Sequence, residues 1–238
     1  MRVDSVRVTF STSDRKYPHL EPTANKFAHF LLNNKSMLDD YNKFLKISPT
    51  WGKNTYKEEI DKWFGRSYRR SKAKDHLDFK ELIIEFFDKC NDDEEIKKMR
   101  GLIPEKLIET IFAHKYRGTS IMMRAGAKVY VDGLLIRYCK NQDEKKSTVD
   151  IGTWDNERAQ FVEIKCSPRT FRSKDVEYLR KLAARMQQSA LRYETYLVSL
   201  YEREFLQSYL EEECLWDYAD HFLLIGKDEI FNLHEIIA

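Results

Sequence analysis

The segment Phe161-Val162-Glu163-Ile164-Lys165-Cys166 is the strongest single constraint on the fold. Aromatic and β-branched residues mark it as a strand. Pro168 stops it, because proline has no amide to give to a ladder. Side chains alternate faces along a strand, so Val162, Ile164 and Cys166 share one face, while Phe161, Glu163 and Lys165 share the other. A carboxylate and an ammonium side by side on a central strand are costly unless they are satisfied or used. A second apolar run, Ser147–Trp154, precedes this strand, and Asp155-Asn156-Glu157-Arg158 between them reads as a turn. In a simple antiparallel hairpin with Trp154 opposite Ala159, Asp150 falls opposite Glu163. Their Cβ atoms would then lie about 4.5–5.5 Å apart, unless a bulge shifts the register. Two carboxylates that close repel unless a cation lies between them, and a set of oxygen ligands suits Mg²⁺, or Mn²⁺ in its place.

The flanking elements give an order. Pro104–Tyr116 reads as a helix opened by Pro104, with Leu107, Ile108, Ile111 and Phe112 on its apolar stripe. Ile121–Val131 reads as a strand, followed by an Asp132-Gly133 turn. After the hairpin come a helix at about Ser173–Ser189, a strand at about Glu194–Leu200, a helix at roughly Glu202–Glu213 and a short strand at His221–Gly226. The N-terminal part is less defined: Val3–Phe10 alternates like an edge strand, Ser11–Pro22 reads as loop, and Thr23–Cys90 has helical periodicity. Asn91–Glu95 reads as a connector or a helix start. Two regions are expected, 1–98 mostly helical and 99–238 carrying the strands, in an α/β fold. The aromatic residues between 27 and 87 fit either a core or an interface.

Net charge is +2, which argues neither for nor against a nucleic-acid partner. Residues 1–100 hold 21 Lys and Arg against 17 Asp and Glu, and the rest hold 20 against 22, so the half with the carboxylates is slightly acidic. The clearest basic run spans 66–74, with Arg66, Arg69, Arg70, Lys72 and Lys74 and no acid. It reads either as a phosphate grip, since cations that displace counterions dominate non-specific affinity, or as a solvated helix end or loop. No run approaches the ~18 apolar residues of a membrane span, and the start has no secretory pattern. The four scattered cysteines form no CxxC pair, so reduced thiols in a cytoplasm are expected and zinc is not.

Asp150, twelve intervening residues, then Glu163-Ile164-Lys165 resembles the motif of the PD-(D/E)XK nuclease superfamily, the restriction-endonuclease-like enzymes. That superfamily's core is helix, three strands, helix, strand, in a mixed sheet, the same order as that read over 104–200. The resemblance implies a metal-dependent nuclease hydrolysing phosphodiester bonds, with DNA favoured over RNA and endonucleolytic action favoured over exonucleolytic. It implies Asp150, Glu163 and the backbone carbonyl of Ile164 as ligands of Mg²⁺ or Mn²⁺, with Glu109 reaching the ion from the first core helix. Lys165 would orient the attacking water, and Gln187 or Gln188 on the second core helix would position Lys165 or substrate. The motif departs from the family's in having Val149 where a proline often stands and Ser147 where RecB-like members often have glycine. By analogy the setting is restriction or phage defence, with a helicase or ATPase as a possible partner, and double-strand cutting would favour a homodimer.

Each residue also has a plainer reading. Glu163 and Lys165 fit a solvent-facing pair worth little, Asp150 a turn cap, and Glu109 a solvated helix position with Glu105 one turn earlier as its alternate. Glutamine is ordinary on a helix surface, and His114 stands alone. Lys128 and Arg124 lie near the site in order and are candidates to touch phosphate. At the level of function, a nuclease acting on RNA and a non-catalytic subunit with a nuclease fold remain the alternatives.

Overall fold

The computed structural model describes residues 7–13, 17–68, 74–142, 144–216 and 218–237. Met1–Asp14 and Ile111–Ala238 form one compact unit, and Arg15–Thr110 forms a second. The division expected at residue 98 falls instead after Thr110, and the N-terminal strand belongs with the sheet. Both differences have one cause: the first strand finds its pairing partner beyond residue 120, and a single helix runs across position 98.

The helical unit contains α1 (Glu21–Asn33), α2 (Met37–Ile47), α3 (Tyr56–Ser67), α4 (Lys74–Lys89) and most of α5 (Asp93–Lys115). Its aromatic residues are a core: Phe27, Phe44, Phe79, Phe86 and Phe87 are fully buried, and the Phe44 ring lies 5.7–6.2 Å from those of Trp51, Trp63, Phe86 and Phe87. Helix α5 corrects one boundary, since Pro104 lies inside it and does not open it. The helix starts at Asp93, where Asp92 Oδ1 accepts the Glu95 amide at 2.8 Å and three acids sit in the first turn. A proline in a helix interior costs about 3 kcal/mol. Burial of Ile96 and Met99 before it and of Ile103, Leu107 and Ile108 around and after it, at about 1.5–3 kcal/mol per side chain, outweighs that cost.

The sheet unit is α/β with a mixed sheet. Its strands are β1 (Val8–Thr12), β2 (Met122–Val131), β3 (Leu134–Leu135), β4 (Tyr138–Cys139), β5 (Lys145–Lys146), β6 (Thr148–Trp154), β7 (Arg158–Lys165), β8 (Arg192–Ser199) and β9 (Leu223–Ile225). Helix α6 (Ser173–Gln188) joins β7 to β8, and α7 (Arg203–Glu212), α8 (Lys227–Ile230) and α9 (Leu233–Ile236) follow. The main sheet runs β1-β2-β6-β7-β8-β9, with β3 paired to β2 and a separate β4-β5 pair. The first four strands are antiparallel, while β7-β8 and β8-β9 are parallel. Parallel neighbours need a crossover, and α6 supplies it. Its Val176, Leu179, Leu182 and Met186 pack with Trp154, Ala159 and Phe161.

The hairpin adopts the expected register, from Trp154 opposite Ala159 to Ile151 opposite Val162. Asp155 closes the turn, its Oδ1 accepting the Glu157 amide at 2.8 Å and the Arg158 amide at 2.5 Å. The ladder ends at Ile151, one residue short of Asp150. Beyond it the amide of Ile164 donates to Asp150 Oδ2 at 2.7 Å, so a side chain takes the place of a ladder carbonyl. On the other side of Asp150, the pairing of β6 with β2 skips Gly126, which has φ +56°. The Gly126 carbonyl instead accepts from the Ser13 amide at 3.1 Å and hydroxyl at 3.0 Å.

Candidate active site

Glu163, near the C-terminal end of β7, is fully buried. Phe161 lies in the core with α6, and alternation puts Glu163 on that same face, near the first turns of the helix. Its Oε1 accepts from Lys146 Nζ at 2.7 Å and also from Lys165 Nζ. Lys146, on β5, simultaneously donates to Asp175 Oδ1 at 2.8 Å. The other Asp175 oxygen accepts the Arg172 amide at 2.9 Å, which caps α6 and fixes the carboxylate. Lys165 Nζ lies 3.9 Å from Asp175 Oδ1 and 5.9 Å from the centre of the Phe171 ring. The Glu163 Oε2 atom is buried and has no hydrogen-bond partner among the described residues.

Three carboxylates, Asp150, Glu163 and Asp175, and two ammoniums, Lys146 and Lys165, meet in this cluster. Burial, and next the charge of Asp150, push Glu163 up to about 7, against the pull of the two lysines. Burial acts to lower both lysines, but the facing carboxylates win. Lys146 is pushed up to about 12, and Lys165 is held well above the ordinary lysine range, with Glu163 the largest contributor to each. Asp175 is held below the usual carboxylate range despite its burial, chiefly by Lys165 and Lys146. As pH falls through about 7, Glu163 takes up a proton, which eases the crowding of carboxylates. A divalent cation would relieve it in the same way and would supply the partner that Oε2 lacks. Among the described residues, no group of three or more His, Cys, Asp or Glu side chains is arranged to hold a metal. Asp150 and Glu163 are two oxygen donors of the type that holds Mg²⁺, commonly with water and substrate phosphate.

Asp150, Glu163, Ile164 and Lys165 are thus brought together; Ile164 is 3% exposed, and its backbone is fastened to Asp150. Glu109 belongs to the helical unit, where its Oε2 accepts from Lys106 Nζ at 2.7 Å. Gln187 is not part of the cluster. It is exposed and donates to the Tyr193 hydroxyl at 2.7 Å, and at 1.5 Å of rise per residue it sits about 18 Å along α6 from Asp175. Gln188 is also exposed. Arg66 and Lys74 are exposed at the end of α3 and the start of α4, in the helical unit, while Arg69, Arg70 and Lys72 lie outside the described residues. Sequence reasoning passed over Lys146 and Asp175. Asp175 carried a signal, an acid at the third position of a helix preceded by an extended residue. Lys146 carried none, since its strand is two residues long.

No family model and no curated protein sequence matches the chain. Among solved structures, the crystal structure of protein VC1899 from Vibrio cholerae is similar, with a TM-score of 0.52 and 15% sequence identity over 97% of this chain and 57% of that one. This chain therefore spans little more than half the length of that protein. The likeness is one of fold, and it agrees with an α/β architecture built on a mixed sheet with several helices.

Proposed function

We propose that the sheet unit is a metal-dependent nuclease with a restriction-endonuclease-like core, hydrolysing phosphodiester bonds, with DNA the favoured substrate. The observation that carries this reading is the fully buried Glu163, with one oxygen unpartnered among the described residues and two lysines and Asp175 gathered around the other. Within the sheet unit the order β2, β6, β7, α6, β8 is that of the PD-(D/E)XK core after its first helix. Asp150, Glu163 and the Ile164 carbonyl would hold Mg²⁺ or Mn²⁺. Such an ion polarises a phosphoryl oxygen and lowers the pKa of water. Lys165 keeps its proton throughout the neutral range, so it acts as a fixed positive charge that orients the attacking water and steadies the developing negative charge. Lys146 is a positioning residue, tying Glu163 on β7 to Asp175 on α6.

A second reading has a specific observation in its favour. Lys146 and Lys165 both already donate to Glu163 Oε1, so the cluster also works as a closed ion-pair network in a non-catalytic subunit. The test incubates the wild-type protein and Lys165→Ala with labelled DNA and RNA in Mg²⁺, Mn²⁺ or EDTA, alongside calorimetric titration with Mn²⁺. Cleavage that requires metal and falls by about 10²–10³ in the variant is the expected result. Equal cleavage by both proteins refutes the assigned site. Absence of both cleavage and Mn²⁺ binding favours the non-catalytic subunit.

A further inference from the structure

Beside the carboxylate cluster lies a groove of about 690 Å³ within the sheet unit. Its walls carry Lys128 of β2, Arg137 from the link between β3 and β4, Lys145 and Lys146 of β5, and Lys174 of α6, with Tyr138 of β4 among them and, among the described residues, no carboxylate. Lys146 belongs to both places, lining the groove while its ammonium holds Glu163 and Asp175. A ligand in the groove is therefore one side chain away from the site.

With Lys146 engaged by the carboxylates, four cations, Lys128, Arg137, Lys145 and Lys174, line the groove, and such a lining selects a polyanion. The volume falls in the range of pockets that hold a small molecule, about 300–1,000 Å³, so the groove holds one or two nucleotides at a time. A duplex is read by protein elements that enter its grooves. A concave, cation-lined channel with an aromatic ring instead suits one strand, with phosphates on the walls and a base stacked on the ring. We propose that this groove binds single-stranded nucleic acid, with Lys128, Arg137, Lys145 and Lys174 on the phosphates and Tyr138 against a base. The inference rests on the nuclease reading for its purpose, that of leading a strand to Glu163.

Binding is measured in EDTA by fluorescence anisotropy, with labelled oligothymidylate and oligouridylate of about 12 nucleotides and a duplex of the same length. The proteins are wild type, the double variant Arg137→Ala/Lys145→Ala, and Tyr138→Ala, each checked for an unchanged circular dichroism spectrum. The expected result is single-strand binding at least about tenfold tighter than duplex binding; the stronger of the two single-strand probes identifies the sugar. The double variant weakens it and reduces the slope of log affinity against log salt by about 1.4, at about 0.7 for each phosphate no longer neutralised. Tyr138→Ala weakens it about tenfold and leaves that slope unchanged. Duplex binding as tight as single-strand binding, no single-strand binding, or indifference to both variants overturns the proposal. Since no cleavage is needed, the two readings fail separately. Single-strand binding without metal-dependent cleavage keeps the groove and removes the nuclease, and cleavage with indifferent groove variants does the reverse.

Discussion

Replacing Glu163 by glutamine isolates its buried charge. In the metal-free protein, burial and Asp150 raise this carboxyl from 4.5 to about 7. A group whose folded pKa lies above its unfolded one contributes stability that is complete below the unfolded value and is lost as pH rises through the folded value. The window is therefore about pH 4.5 to 7. At about 1.4 kcal/mol per pKa unit, the shift corresponds to about 3 kcal/mol, of which about 2–3 kcal/mol disappears between pH 5 and 8. For a chain of this size, 1 kcal/mol moves a melting temperature by about 2–4 °C, so the expected change is about 5–10 °C. Glu163→Gln keeps the shape and cannot ionise. The quantity to follow is the melting temperature of wild type minus that of the variant, in EDTA, from pH 5 to 8. Taking the difference cancels groups away from the cluster such as Glu95, whose lowered pKa slopes stability the other way. It should fall by about 5–10 °C as pH rises. A flat difference would mean that Glu163 is already ionised at pH 5 and that burial and Asp150 do not raise its pKa.

The same proton governs metal uptake. The Mn²⁺ association constant should rise about tenfold per pH unit below about 7 and level off above it, and a pH-independent titration would show that Glu163 is not a ligand. Gln187→Ala should leave any metal-dependent cleavage rate unchanged, because its amide serves Tyr193 at the far end of α6; a loss of tenfold or more would return it to the site. Two glycines should differ in thermal melts when changed to alanine. A Cβ at Gly226 would stand 2.3 Å from the Arg203 backbone nitrogen, which cannot swing away, whereas at Gly152 it would meet the Phe10 ring at 2.5 Å, which can turn. Gly152→Ala should cost about 1–3 kcal/mol and Gly226→Ala more, and the reverse order would contradict the packing.

What could be read from the chain was local. The turn at 155–158 and the alternation on either side fix which residues of β6 and β7 face each other, so the register from Trp154 to Ile151 followed from a few consecutive residues, and it stops one pair short of Asp150 and Glu163. The boundaries of α6 were legible for the same reason, from a single helical period after Pro168. The missing parts depend on long-range approach. Lys146 reaches Glu163 from a two-residue strand in a stretch with no periodicity, and Asp175 comes in on a crossover whose docking is set by Val176, Leu179 and Leu182. Gln187 shows the opposite failure: being on the right helix says nothing about which end meets the sheet. Pro104 misled because a local preference of about 3 kcal/mol was weighed without the apolar burial along α5 that exceeds it.

The pairing of β1 with β2 also has a consequence in time. Synthesised in order, Thr12 waits for Ala127, 115 residues later, which at about 5–20 residues per second is on the order of ten seconds. All of Arg15–Thr110 emerges in that interval and has its own aromatic core to close around. The bonds from Ser13 to the Gly126 carbonyl, next to the strand that carries Asp150, belong to the sheet's assembly and not to the chain's first events. Starting synthesis after β1 would uncover Ala127–Val131 of β2 as an open edge, the type of surface on which sheets of separate molecules join.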